Sequence, residues 1–161
     1  TSFACDLKKW LQVMETYESG SHVYHTTMPT DALCRLREVM LETRALGFAA
    51  LRERQIEIGR QVRALLESRG FPSVSAPGFQ APGVVVSYTT DPEIQSAKKF
   101  IGQGLQTASG VPLQCDEGAD FSTFRIGLFG LEKLADPSRS VAHLAAALDR
   151  MGITAPEAVA A

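Results

Sequence analysis

Thr123-Phe124-Arg125-Ile126-Gly127-Leu128-Phe129 alternates without a break, and its reading decides the fold. Successive side chains of a strand point to opposite faces. Phe124, Ile126 and Leu128 therefore share one face, while Thr123, Arg125, Gly127 and Phe129 share the other. A period of two with one apolar face predicts a strand laid on a core. Upstream, Val84-Val85-Val86-Ser87-Tyr88 is a β-branched run and predicts a second, buried strand. Val111 to Cys115 is expected to add a third short strand, and Val74 a further short one within the Pro, Gly and Ser-rich connector from Phe71 to Gly83.

The helices carry a different period. Leu7, Trp10, Leu11 and Met14 recur at helical spacing between Asp6 and Thr16. Pro29-Thr30-Asp31 starts a second helix with Leu33, Leu36, Val39, Met40 and Thr43 on one face. After Gly47 a third stripe follows, Leu51, Gln55, Ile58, Val62, Leu65 and Leu66, and Gly70 can end it. The arginines and glutamates between these positions are expected to form a solvated face. Asp91-Pro92-Glu93 and Asp136-Pro137 place a capping acid before a proline, a strong helix start. The first of these predicts a helix with Ile94, Ala97, Ile101 and Leu105 inward; the second, one with Val141, Leu144, Ala145 and Leu148 inward, ended by Gly152. Residues 153–161 read as a frayed tail. A small, mostly antiparallel sheet covered by helices on one face follows, an α+β fold.

The chain has 161 residues, 45% of them apolar, and a net charge of -2. That is enough for one domain with its own core. The charge is not that of a nucleic-acid binder, and no partner of that kind is expected. No stretch is a continuous apolar membrane span. Cys5, Cys34 and Cys115 are three in number and have no ligand spacing, so free thiols and a cytoplasmic protein are expected. His22 and His25 lie in a loop without an acidic or thiol neighbour, so no metal site is expected.

Two segments can carry chemistry. Arg125 projects from the face opposite the core, beside Gly127, which has no side chain to fill that space. A guanidinium fork matches a carboxylate with two parallel hydrogen bonds. The alternative is an arginine lying over the exposed sheet and paired with Asp116, Glu117 or Asp120. Tyr24-His25-Thr26-Thr27 places a phenol and hydroxyls before a helix N-terminus, suited to a phosphate or, alternatively, to capping.

Both segments also carry a resemblance. Tyr24-His25-Thr26-Thr27-Met28-Pro29 resembles the "YHxTxP" segment of class V pyridoxal-phosphate aminotransferases. Phe124-Arg125-Ile126-Gly127-Leu128-Phe129-Gly130 resembles their C-terminal "FRIGxxG" strand, and Ser2 to Trp10 is similar to the stretch leading into the first motif. Within the class the likeness is to the serine–pyruvate and alanine–glyoxylate aminotransferases. It implies the C-terminal small α+β domain of a fold-type I enzyme, here residues 31–152. Residues 1–30 would bring a connecting helix and the cofactor-phosphate loop.

The resemblance further implies a transaminase moving an amino group between a small amino acid of the alanine or serine type and a 2-oxo acid such as pyruvate or glyoxylate. Arg125 would bind the substrate carboxylate. Tyr24 and Thr27 would reach the pyridoxal phosphate of the neighbouring subunit in a homodimer. The Schiff-base lysine of the family lies upstream of the matched segments, and Lys8, Lys9, Lys98, Lys99 and Lys133 match no lysine motif. The chain is therefore expected to be a C-terminal fragment with no catalytic residue of its own, inactive alone. Cys115-Asp116-Glu117-Gly118 stands where many relatives carry paired glycines. The reading from another class is a stand-alone α+β domain that regulates or dimerises and binds an amino acid without chemistry. Within the enzyme class, a lyase with Cys115 as nucleophile is the alternative.

Overall fold

Aspartates at positions 6, 91 and 136 act as capping acceptors and set three of the helix starts. The computed structural model describes residues 5–25 and 29–155, and the chain divides into two compact units, Thr1–Glu42 and Thr43–Ala161. In the first, Asp6 accepts a hydrogen bond from the Lys9 amide at 3.0 Å and opens α1 (Leu7–Glu18). Val13 is its buried residue, and Trp10 meets the His25 ring edge-on at 5.1 Å. The unit boundary falls within α2 (Thr30–Leu46), which buries none of its residues.

The second unit holds the core. α3 (Phe48–Ser68) buries Leu51, Ile58, Val62 and Leu66 along the expected stripe. It packs on β1 (Val84–Tyr88), whose Val85 is fully buried. The Asp91 carboxylate accepts from the Glu93 and Ile94 amides and opens α4 (Pro92–Gln95). The helix expected to run on to Leu105 breaks at Ala97, which has φ 64°, and resumes as α5 (Lys98–Gly102). The break turns Phe100 into the core in place of Ile101, which is 63% exposed. The larger ring gains more from leaving water.

The expected strand at Val111–Cys115 is a loop instead. Glu117 accepts hydrogen bonds from the amides of Leu113, Gln114 and Cys115, so these donors are unavailable to a sheet. The strand role passes to β2 (Ala108–Ser109), followed by β3 (Thr123–Gly127). The sheet is antiparallel in the order β1-β3-β2, with Val86 and Ala108 both opposite Arg125. Outside it, Val74 donates to Val86 at 3.0 Å beside a Ser73–Ser87 bridge, the remnant of the short strand expected there. A short helix absent from the sequence reading, α6 (Leu131–Ala135), precedes α7 (Pro137–Arg150), which Asp136 caps at Arg139. Ile153 packs against the core and its carbonyl accepts from Arg69 at 2.6 Å.

The fold is thus α+β, as expected: a three-stranded antiparallel sheet with helices laid on the face of Val85, Phe124 and Ile126. Phe124 meets Phe71 edge-on and Phe100 at a tilt, and Leu128, Leu134, Leu144 and Leu148 join the same core. One charged side chain departs from the solvated-face expectation: Arg63 is 6% exposed and donates to the carbonyls of Gly59 and Ala81, tying the connector to α3. Among the described residues no helix is long and apolar enough to cross a membrane.

Candidate functional site

Arg125 owes its position to the strand period. Phe124 and Ile126 on either side are drawn into the core, which forces the side chain of Arg125 to the sheet face that the helices of this unit leave uncovered. Val86 and Ala108 flank it in register, and Gly127 lies two residues along the same face. Short and branched neighbours leave the guanidinium room.

Its Nε donates to the Ser109 carbonyl at 3.0 Å. Among the described residues Arg125 takes part in no ion pair. Its expected alternative partner, Glu117, turns to its own loop. Backbone amides, that of Cys115 first, then those of Glu117 itself, Gln114 and Leu113, hold the Glu117 carboxyl at about 2, well below its ordinary 4.5. A concavity of about 580 Å³ is walled by Gly110, Val111, Glu117, Phe121 and, from β3, Thr123; Arg125, two residues further along that strand, is not in its wall. The arrangement can do one thing chemically: offer a fixed planar cation to an anion approaching the open sheet face.

The second candidate loop belongs to the other compact unit. Tyr24 is 82% exposed, beside His25. Thr27 lies outside the described residues. His22 is exposed, and no cluster of metal-ligating side chains occurs among the described residues.

Three of the five lysines are engaged elsewhere. Lys99 pairs with Asp91 at 2.5 Å, which raises its pKa, the reverse of what an amine nucleophile needs. Lys133 donates to the Phe129 carbonyl and Lys9 to Gln12. Local desolvation and the Glu117 carboxylate push the Cys115 thiol up from 9.0, so it stays protonated at neutral pH and is a poor nucleophile. The feature that sequence reasoning missed is the Ser109 carbonyl. A backbone acceptor has no residue signature, and the neighbouring strand was expected three residues too late.

No protein-family model matches the sequence, and no curated protein matches it. Among solved structures, the alanine–glyoxylate aminotransferase of Nostoc sp. is similar, with a TM-score of 0.70 and 19% identity over 87% of this chain. The chain spans 36% of the length of that protein. At this identity the likeness is one of fold: the class defined here is an α+β domain of the kind found within an aminotransferase.

Proposed function

We propose that this chain is the C-terminal part of a pyridoxal-phosphate aminotransferase that exchanges an amino group between a small amino acid and a 2-oxo acid. One observation carries the reading: Arg125, in no ion pair among the described residues, presents its guanidinium on the sheet face opposite the core, held there by Ser109. The aminotransferase-like fold and the two motif resemblances support it.

A 2-oxo acid and an amino acid share one group, the carboxylate, and a single arginine can hold both in turn. Held by two parallel hydrogen bonds, the carboxylate loses its freedom to rotate, which fixes the direction of the Cα–H bond. The phosphate of the cofactor needs neutral or cationic donors. Tyr24 fits, because its phenol is exposed and able to donate. Thr27, three residues further on, would add a second hydroxyl from the same loop. Both would serve a neighbouring subunit in a homodimer. When bound, pyridoxal phosphate supplies the electron sink for the substrate Cα–H bond. Lys9, Lys99 and Lys133 are spent in local contacts and none of the five lysines matches the family's lysine motif, so the base that moves the proton would come from the part of the enzyme outside this chain.

The test is steady-state kinetics of the enzyme containing this chain. Arg125→Ala should raise KM for the amino acid about 30-fold or more, the equivalent of losing a paired charged contact worth ~2–5 kcal/mol. An unchanged KM removes Arg125 from the site. Tyr24→Phe should speed cofactor loss on dialysis while leaving the amino acid KM nearly unchanged; equal retention refutes the phosphate role. Amino-acid binding that depends on Arg125 and ignores pyridoxal phosphate would favour the stand-alone binding domain.

A further inference from the structure

A guanidinium can meet a carboxylate with two parallel bonds in two ways: through Nη1 and Nη2, or through Nε and one Nη. Here Nε has a single hydrogen, and the Ser109 carbonyl takes it at 3.0 Å. Only the Nη1–Nη2 end is left. The position of that carbonyl depends on how closely β2 approaches β3. β2 is two residues long, with Ala108 opposite Arg125 and Ser109 opposite Phe124. The next residue, Gly110, sits so close to β3 that a Cβ there would lie 2.0 Å from the Thr123 carbonyl oxygen and 2.2 Å from its Oγ1. The nearest atom is backbone of a buried residue paired with β1, so it cannot swing aside. A two-residue strand has no length over which to spread a displacement.

We infer that Gly110 is a positioning residue for Arg125: it lets β2 close on β3, so that Ser109 holds Nε and a monocarboxylate must bind end-on through Nη1 and Nη2. The inference rests on the carboxylate role proposed above. It adds which edge of the cation is used and which residue selects that edge. A side chain at 110 would push the Ser109 carbonyl away, free Nε, and let the guanidinium rotate among several orientations. Affinity would fall although no group that touches the ligand had changed.

The experiment is NMR of the Arg125 Nε–H in the protein, with pyruvate as the monocarboxylate. In the unsubstituted protein Nε–H should exchange slowly with water and stay bonded to Ser109 when pyruvate is added. Gly110→Ala should speed that exchange and weaken pyruvate binding, each about tenfold. Gly102→Ala, at a position with no atom within 4 Å of an added Cβ, should do neither. Gly110→Ala with unaltered exchange and affinity overturns the inference. If that variant does not fold, the unsubstituted protein decides: fast Nε–H exchange, or transfer of Nε–H from Ser109 to pyruvate, overturns it as well. Protected Nε–H with no pyruvate binding at all would instead sink the carboxylate role while leaving the Gly110–Ser109 geometry in place.

Discussion

α2 and α3 are successive helices with the same kind of apolar stripe and opposite fates. α2 carries Leu33, Leu36 and Met40 at helical spacing, yet they are 45%, 54% and 61% exposed. α3 carries Leu51, Ile58, Val62 and Leu66, all nearly sealed from water. The difference lies in what the second unit supplies: β1, α6 and α7 pack on α3 and cover its stripe. An amphipathic period states that a face gains from leaving water; the rest of the chain decides whether it does. Most of the stabilisation of a protein helix comes from that packing and little from propensity.

The sharpest way to break this comparison is to truncate one residue on each stripe. Leu66→Ala should cost about 2–5 kcal/mol, since Leu66 is fully buried and a cavity would remain. Met40→Ala should stay within about 0.5 kcal/mol of the unsubstituted chain. Urea unfolding of the two variants checks the contrast, and equal losses would show that the stripes are equivalent after all. A smaller effect comes from Gly59, inside α3. Helix propensity alone favours Gly59→Ala by about 1 kcal/mol. An added Cβ would, however, lie 2.6 Å from the Pro82 carbonyl oxygen, against the connector that Arg63 and Gln55 tie down. The clash should win, with a net loss of about 1–3 kcal/mol in thermal unfolding. A stabilised Gly59→Ala would mean that the connector does not rest on α3.

Where local chemistry decided the structure, the sequence was readable. The alternation at 123–129 placed Phe124, Ile126 and Leu128 in the core and Arg125 opposite, and Asp91-Pro92 and Asp136-Pro137 marked helix starts. Where a long-range partner decided, it was not. The α2 stripe gave no sign that Leu33, Leu36 and Met40 would stay exposed. The break at Ala97 depends on Phe100 reaching Phe124, and the loop at 111–115 depends on Glu117 capturing amides that a strand would have used. At the candidate site the cation was legible and its anchor was not, because a main-chain carbonyl is present at every residue and only the register of β2 selects Ser109.

The smallest effect concerns the outer faces of the same two helices. On α3, Glu57 accepts from Arg60 Nε at 2.9 Å, Arg60 Nη2 at 2.7 Å and Gln61 at 2.6 Å. On α2, Glu38 has one such partner, Arg35 at 2.9 Å. The Arg60 hydrogen bonds, then Gln61, hold the Glu57 carboxyl at about 2 against an ordinary 4.5. A carboxylate whose folded pKa lies below its unfolded value adds stability that is complete above the unfolded pKa. That contribution disappears as the pH falls from about 4.5 through about 2. The group is open to water, so screening keeps the effect small and salt should reduce it further. Carboxyl-carbon NMR of Glu57 should give a midpoint near 2, and Arg60→Ala should move it back toward 4.5. A Glu57 midpoint already near 4.5 in the unsubstituted protein would mean that the fork on α3 is no firmer than the single contact on α2.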